Sequence, residues 1–373
     1  MSNYFIHTFE LSYRTTLKKI LELTDHKLVE INGEYKSLKY VGSGITIICI
    51  RCKKEAKDGK GNYKLILIVN PSRLTDAETY SNNIMCLDDF EFALRKLEII
   101  IGSIFPDIEL NDFKLSRVDL TNDIRGVPES IIQEYIMIMR RSSLSNGYKL
   151  NSDLEKNTDD FRCEDSFNVY NRSQGAEFVV YNKHRASMDQ GYPQEYLNYF
   201  EDTMRVELRC SRRYINKKTN GLSTVEAILL MYLNREEFVR EFYTSIFKYR
   251  TDLCYISKRW QKKFIKKSFS PKRSERMIDT IERLSEIGAH LDNALYDSYN
   301  TQKTRTKIPS YFNEAGFSPI PIQLETVSYM SSLDTVLGFS DGKKDLCYKI
   351  IKHSKGRKKV IFRYEDFRIP DDR

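Results

Sequence analysis

Three short stretches set ionisable side chains at alternate positions beside apolar ones, the spacing at which a β-strand sorts residues onto two faces. In residues 116–123, Arg117, Asp119 and Thr121 alternate with Val118 and Leu120. In residues 204–211, Arg205, Glu207, Arg209 and Ser211 alternate with Met204, Val206, Leu208 and Cys210. In residues 177–183, Glu177, Val179, Tyr181 and Lys183 alternate with Phe178 and Val180. The phrase Arg–apolar–acid occurs twice, as Arg117-Val118-Asp119 and as Arg205-Val206-Glu207. If the strands share a sheet whose apolar side is covered by helices, these charges converge on the open side. Asp119 and Glu207 are then hard oxygen donors suited to Mg²⁺ or Mn²⁺, with Tyr181 close by. The same alternation also describes the wet face of any half-exposed sheet, where cross-strand Arg–acid pairs are common. Tyr181 is moreover one of 24 tyrosines.

The elements that must position these residues are legible as alternating strand and helix patterns. Residues 36–53 and 62–70 read as paired strands around the polar turn KKEAKDGKGN, and residues 87–105 carry helical apolar spacing with acids in the first turn. A second helix is expected over 128–141, opening on Pro128 and Glu129. SFNVYN and EFVVYNK form a hairpin around SQG, and MRVELRCSR is a further strand. The expected fold class is α+β: an antiparallel-rich sheet with helices on one face, followed by a mostly helical C-terminal region. The expected domains are residues 1–215, the α+β unit; 216–300, a helical DNA-binding or interaction region; and 301–373, an arm with a small closing element. Within that last part, 301–326 reads as linker or extended arm, with a short helix near 342–353 and a strand at 358–364.

Composition bounds the partners. The chain has 373 residues, 30% charged, and a net charge of +8. The basic excess is clustered: Lys258, Arg259, Lys262, Lys263, Lys266 and Lys267 crowd one stretch together with Trp260 and Phe264, and KHSKGRKK fills 352–359. Two such clusters favour a polyanion, nucleic acid above all, although a single run is ordinarily a solvated face. Trp260 and Phe264 read equally as base-stacking platforms or as helix core. The seven cysteines are irregularly spaced, which argues against a disulfide framework, and Cys49 and Cys52 read as ordinary thiols on opposite faces of a strand. There is no apolar run long enough to span a membrane and no secretory signal, so a cytoplasmic protein without a membrane partner is expected. A GxxxxGK[ST] phosphate loop and a GxSxG elbow are both missing. No two of the five histidines lie within five residues of each other, so a divalent ion would rest mainly on carboxylates.

At these residues the sequence resembles the Rep-trans family of rolling-circle replication initiation proteins. RVDLTND (117–123), FVVYNK (178–183) and RVELRC (205–210) match that family's ordered motifs, LILIVNPSRL (65–74) is similar to its strand ending in an Asn-Pro turn, and VYNRSQGAEF resembles the hairpin before its tyrosine strand. The resemblance spans roughly residues 60–215. Two departures stand out: Ile68 replaces a frequent acid, and His184, Arg185 and Ala186 follow the YNK phrase where acids are common. The resemblance implies sequence-specific nicking and joining of one strand of an origin, single-stranded or extruded as a hairpin, through a 5′-phosphotyrosine on Tyr181. Lys183 then activates the phenol, Asp119 and Glu207 hold Mg²⁺ or Mn²⁺, and Asp123 supports them or ligates weakly. Arg117, Arg205 and Arg209 grip backbone phosphates. Outside the resemblance, the charge clustering alone makes Lys258, Arg259, Lys262, Lys263 and Lys266 the expected DNA-binding residues. A host helicase and a second copy of the chain are the implied protein partners. The rivals are a relaxase of a conjugative element, a phage replication protein, a non-catalytic DNA-binding regulator on the same scaffold, and a basic nucleic-acid-binding protein unrelated to replication.

Overall fold

In a computed structural model the described residues are 4–16, 18, 29–31, 34–37, 43–52, 63–75, 86–150, 166–286, 289–339 and 348–350. They fall into two compact units that interleave along the chain. The first takes Met1–Asp123, Tyr170–Val179 and Glu207–Glu241; the second takes Ile124–Val169, Val180–Val206 and Phe242–Arg373. The fold is mixed α and β, an antiparallel sheet with C-terminal helices, as the alternating patterns lead one to expect.

The strands are β1 (Phe5–Thr15), β2 (Val29–Ile31), β3 (Glu34–Ser37), β4 (Ile45–Arg51), β5 (Tyr63–Val69), β6 (Lys114–Arg125), β7 (Lys149–Leu150), β8 (Ser166–Asn171), β9 (Ala176–Asn182) and β10 (Thr203–Ser211). Across the first unit their order is β2-β3-β4-β5-β1-β6-β10-β9-β8. β1 lies between β5 and β6 and is antiparallel to both, with Glu10 opposite Arg117, Phe9 opposite Val118 and Thr8 opposite Asp119. Apolar alternation fixes this register, because a slip of one residue would turn Phe9, Leu11, Val118 and Leu120 out of the core. That core is closed by the helix Leu87–Ile104, whose Phe90, Ala93, Leu97 and Ile101 are buried. Phe90 stacks on Tyr232 of the helix Thr224–Leu233 with ring centroids 4.2 Å apart. This second helix starts at a capping box in which Ser223 and Glu226 satisfy each other's backbone N–H groups.

The Asn-Pro phrase does what its chemistry favours. β5 ends, Asn70 accepts a hydrogen bond from the Arg73 N–H at 3.1 Å, and a short helix opens on Pro71. Gly44 lies against this turn with φ of 85°, where a Cβ would meet the Leu74 nitrogen at 2.7 Å, so only glycine is accommodated.

The second unit is largely helical. Its C-terminal helices are Lys258–Ser268, Pro271–Leu284, Leu291–Ser298 and Gln302–Ala315, beside a small sheet of β11 (Tyr255–Ile256), β12 (Val327–Met330) and β13 (Tyr348–Ile350). Two expectations are corrected here. Residues 301–326 are not an arm: Thr301 caps a helix of 14 residues that accepts Pro309 in its interior and buries Ile308 and Phe312. Residues 348–350, within the helix expected near 342–353, form a strand paired with β12. The turn at 53–62, the basic cluster at 352–359 and the strand expected at 358–364 lie outside the described residues.

Candidate functional site

The polar face of the first unit is a ladder of paired charges. On β6, Arg117 lays its guanidinium against its own strand's acid: Nε donates to Asp119 Oδ1 and Nη2 to Asp119 Oδ2, both at 2.8 Å. Its Nη1 reaches Glu10 of β1 at 3.4 Å. β10 repeats the arrangement, with Arg209 Nη2 at 2.9 Å from Glu207 Oε2 and Nη1 at 3.5 Å from Glu177 of β9. Each arginine thus bridges the acid two residues before or after it and an acid on a neighbouring strand, contacts that the same-face spacing of a strand favours. The Thr8 hydroxyl completes the Asp119 site, donating to Oδ2 at 2.7 Å.

Asp119 and Glu207 are both nearly buried, with 4% and 5% of their surface exposed. Burial raises the pKa of Asp119 above the ordinary aspartate range, and the neighbouring Glu207 charge pushes the same way, against the opposing pull of Arg117 and Thr8. Four carboxylates, those of Glu10, Asp119, Glu177 and Glu207, here face two guanidiniums, an excess of negative charge held partly away from water. Carboxylates of this kind can serve Mg²⁺ or Mn²⁺, which commonly take one or two and complete their shell with water and phosphate oxygens; here Arg117 and Thr8 take both oxygens of Asp119 and Arg209 takes one of Glu207. Among the described residues no three of His, Cys, Asp and Glu converge, so the protein's contribution would be this carboxylate pair. Asp123, half-buried on β6, belongs to the same unit.

Tyr181 belongs to the second unit and occupies the penultimate position of β9, where Glu177 and Tyr181 are the half-exposed residues of an otherwise buried strand. The strand ends immediately afterwards. Asn182 caps a helix, its side chain accepting the Arg185 N–H at 3.1 Å, and Lys183 is the first helical residue.

Two sequence assignments are corrected by these surroundings. Lys183 does not continue the strand face of Tyr181. Its ammonium, 6% exposed, lies 5.3 Å from the Phe200 ring centroid, 5.5 Å from that of Tyr196 and 5.8 Å from that of Tyr192. Such an aromatic nest holds a cation in place of water. Arg205 is not a surface grip for phosphate: it is 1% exposed, with its guanidinium 5.5 Å from the Phe200 centroid.

The basic helix Lys258–Ser268 is also in the second unit. Lys258 and Lys262 both pair with Glu282 of the next helix. Arg259, Lys263, Lys266 and Lys267 are exposed, and at helical spacing they form one stripe along the outer side. Trp260 borders the stripe with Lys263 stacked on it at 4.7 Å. Phe264 turns inward, edge-on to Phe317 at 5.5 Å, which makes it a packing residue.

Thr8 and Glu10 join the site without having stood out in the sequence. The signal was available in FIHTFELSYRT, where Thr8, Glu10, Ser12 and Arg14 alternate with Phe9, Leu11 and Tyr13. Cys49 is buried and Cys52 half-buried, and both are free thiols. No helix among the described residues is long and apolar enough to cross a membrane. No protein-family model matches the chain, and no curated protein is significantly similar to it.

Proposed function

We propose that the chain is a rolling-circle replication initiator, nicking and rejoining one strand of an origin through a covalent bond from the Tyr181 oxygen to a 5′-phosphate. The observation that carries this reading is the doubled Arg–acid unit on β6 and β10, in which Asp119 and Glu207 form a buried, mutually repelling carboxylate pair. Keeping two anions together in a desolvated place is costly, and a structural role would be met as well by uncharged side chains. Metal-assisted phosphodiester chemistry uses such carboxylates to hold its divalent ion. Asp119 and Glu207 would hold Mg²⁺ or Mn²⁺, which when bound supplies positive charge to the scissile phosphate.

The protein's own groups divide the remaining work. Tyr181 provides the nucleophilic phenol; its proton leaves as the phosphorus–oxygen bond forms, and the departing 3′-oxygen takes up a proton to become a primer hydroxyl. The phosphotyrosine retains the energy of the broken phosphodiester, so rejoining needs no nucleotide cofactor, in keeping with the missing phosphate loop. Arg117 and Arg209 orient the acids. Lys183, locked among aromatic rings directly after Asn182, fixes the backbone that carries Tyr181 rather than meeting the phenol as a neighbour on the same strand face. The exposed stripe Arg259, Lys263, Lys266 and Lys267 supplies charge for duplex backbone. A cytoplasmic setting, a helicase partner and a second copy of the chain belong to the same proposal.

The test is nicking of supercoiled plasmid carrying the cognate origin, with Mn²⁺ present, by wild type and Tyr181→Phe. Wild type is expected to give nicked circles and a protein–DNA adduct resistant to detergent, and the variant neither. Equal nicking by the variant would remove Tyr181 as nucleophile. A second reading, a DNA-binding regulator without cleavage, draws on Arg117 occupying both oxygens of Asp119. Under it wild type binds origin DNA with no adduct under any divalent metal.

A further inference from the structure

A cavity of about 550 Å³ opens on the polar face of the first unit. Its walls include both bridging arginines, Arg117 and Arg209, together with their acids Glu10 and Glu177, and Tyr170 and Arg172 of the β8–β9 hairpin. The two sets of lining side chains differ in kind. The arginines of β6 and β10 are already committed to carboxylates. Tyr170 is half-buried and makes no hydrogen bond or ring contact among the described residues, and Arg172 is exposed and forms no ion pair among them. A solvent-facing aromatic beside an uncommitted guanidinium is the combination that receives a base and its phosphate.

The hairpin that presents this pair is rigid. Asn171 folds its side chain over the turn, accepting from the Ser173 N–H at 3.0 Å, the Ser173 hydroxyl at 2.7 Å and the Gln174 N–H at 3.1 Å. The turn carbonyls are tied down in turn: Arg213 donates to the Arg172 oxygen at 3.0 Å, and Lys217 to the Ser173 oxygen at 2.9 Å. Gly175, with φ of 76°, lets the chain pass so close to the helix Arg212–Thr219 that a Cβ would meet Arg213 at 2.7 Å. A turn with this many fixed donors and acceptors is a wall of the cavity rather than a flap over it.

We propose that this cavity is a nucleotide subsite: one unpaired nucleotide of the DNA strand inserts there, its base on the Tyr170 ring and its phosphate at Arg172. The volume lies within the range of ordinary small-ligand sites, roughly 300–1,000 Å³. Glu10 and Glu177 are bridged by Arg117 and Arg209, which leaves exposed Arg172 as the place for a phosphate and the rest of the cavity for an uncharged base. The proposal rests on the reading of the chain as a single-strand nicking enzyme and adds the contact that admits unpaired DNA and refuses a duplex, whose bases are not available to a ring.

The test uses the full chain and fluorescein-labelled dT20, followed by anisotropy over a range of salt, with a 20-base-pair duplex in parallel. Base–aromatic stacking is worth about 1–3 kcal/mol, so Tyr170→Ala is expected to weaken dT20 binding roughly tenfold or more and leave duplex binding within twofold. Tyr170→Phe, which keeps the ring, should restore wild-type affinity. Arg172→Ala, a change at an exposed position that leaves folding intact, should lower the slope of log affinity against log salt by about 0.7, as expected when one phosphate of a single strand is no longer neutralised. If wild type binds dT20 and both alanine variants bind it equally well with an unchanged slope, the subsite is refuted while the nicking reading stands. If wild type has no measurable affinity for dT20, both fall.

Discussion

The two charged surfaces of this chain, the β6–β10 polar face and the outer side of helix Lys258–Ser268, are built on opposite rules. On the first, each arginine is committed: Arg117 holds Asp119 and Glu10, and Arg209 holds Glu207 and Glu177. On the second, the two lysines nearest a neighbouring helix are paired with Glu282, and Arg259, Lys263, Lys266 and Lys267 are exposed. Paired charge in a partly dry place fixes positions to within a hydrogen bond, which is what bond-making chemistry requires. Exposed charge on long side chains fixes nothing and attracts phosphates of any sequence, which is what loading onto DNA requires. The contrast teaches that a high local count of Lys and Arg says little by itself; how far each side chain is exposed decides what a partner can reach.

The contrast breaks most sharply at the acids. Glu207→Gln should lower nicking by at least roughly a thousandfold, as expected when a group acting on the reacting phosphate is removed, with duplex affinity unchanged; gel assays of nicked circles and mobility shifts read both. The converse change comes next. Replacing Arg259, Lys263, Lys266 and Lys267 by alanine should reduce the slope of log affinity against log salt on duplex by about 0.9 for each phosphate that the stripe had neutralised, while the cleavage rate at saturating protein holds. Should the slope stay at its wild-type value, the stripe is a solvated face and nothing more.

A smaller effect tests the ladder's energetics. Because burial first, and Glu207 second, raise the pKa of Asp119 in the folded chain, its protonated form is the one that folding favours. Its contribution to stability is therefore present below the pKa of an unfolded aspartate and lost as pH rises through the raised folded value. Asp119→Asn, which mimics the protonated acid, should then melt no lower than wild type at pH 7 and show a flatter dependence on pH through the acid range, and under the proposed function it should also abolish nicking. A clearly lower melting temperature at pH 7 would show that the ion pair with Arg117 outweighs the burial penalty. The smallest effect belongs to Lys262→Ala. Its partner Glu282 is well exposed and also pairs with Lys258, so thermal melts should register a loss of at most about 1 kcal/mol.

Much of the ladder was legible because strand alternation is a local property. Arg117, Asp119, Glu207 and Arg209 could be placed on one kind of face from spacing alone, and the apolar residues between them are in fact buried. Pairing between strands far apart in sequence was not legible. Glu10 meets Arg117 because β1 lies between β5 and β6, a topology that no short window encodes. Lys183 escaped for a different reason: Asn182 is as good a helix cap as it is a strand residue, and the cap won, ending the alternation one residue after Tyr181. Arg205 shares its pattern with Arg209, yet Phe200, five residues earlier, lies over its guanidinium. The helix Gln302–Ala315 was hidden by Pro309, which reads as a breaker although Thr301 at one end and Gly316 at the other bound a regular helix around it.

The junction at Asn182 also limits how this chain can change over generations. The step from Tyr181 through the cap to Lys183 has no slack: one extra residue there would either rotate the phenol to the other side of its strand or draw the lysine out of its aromatic nest. Lineages of this protein should therefore keep the spacing of those three residues invariant.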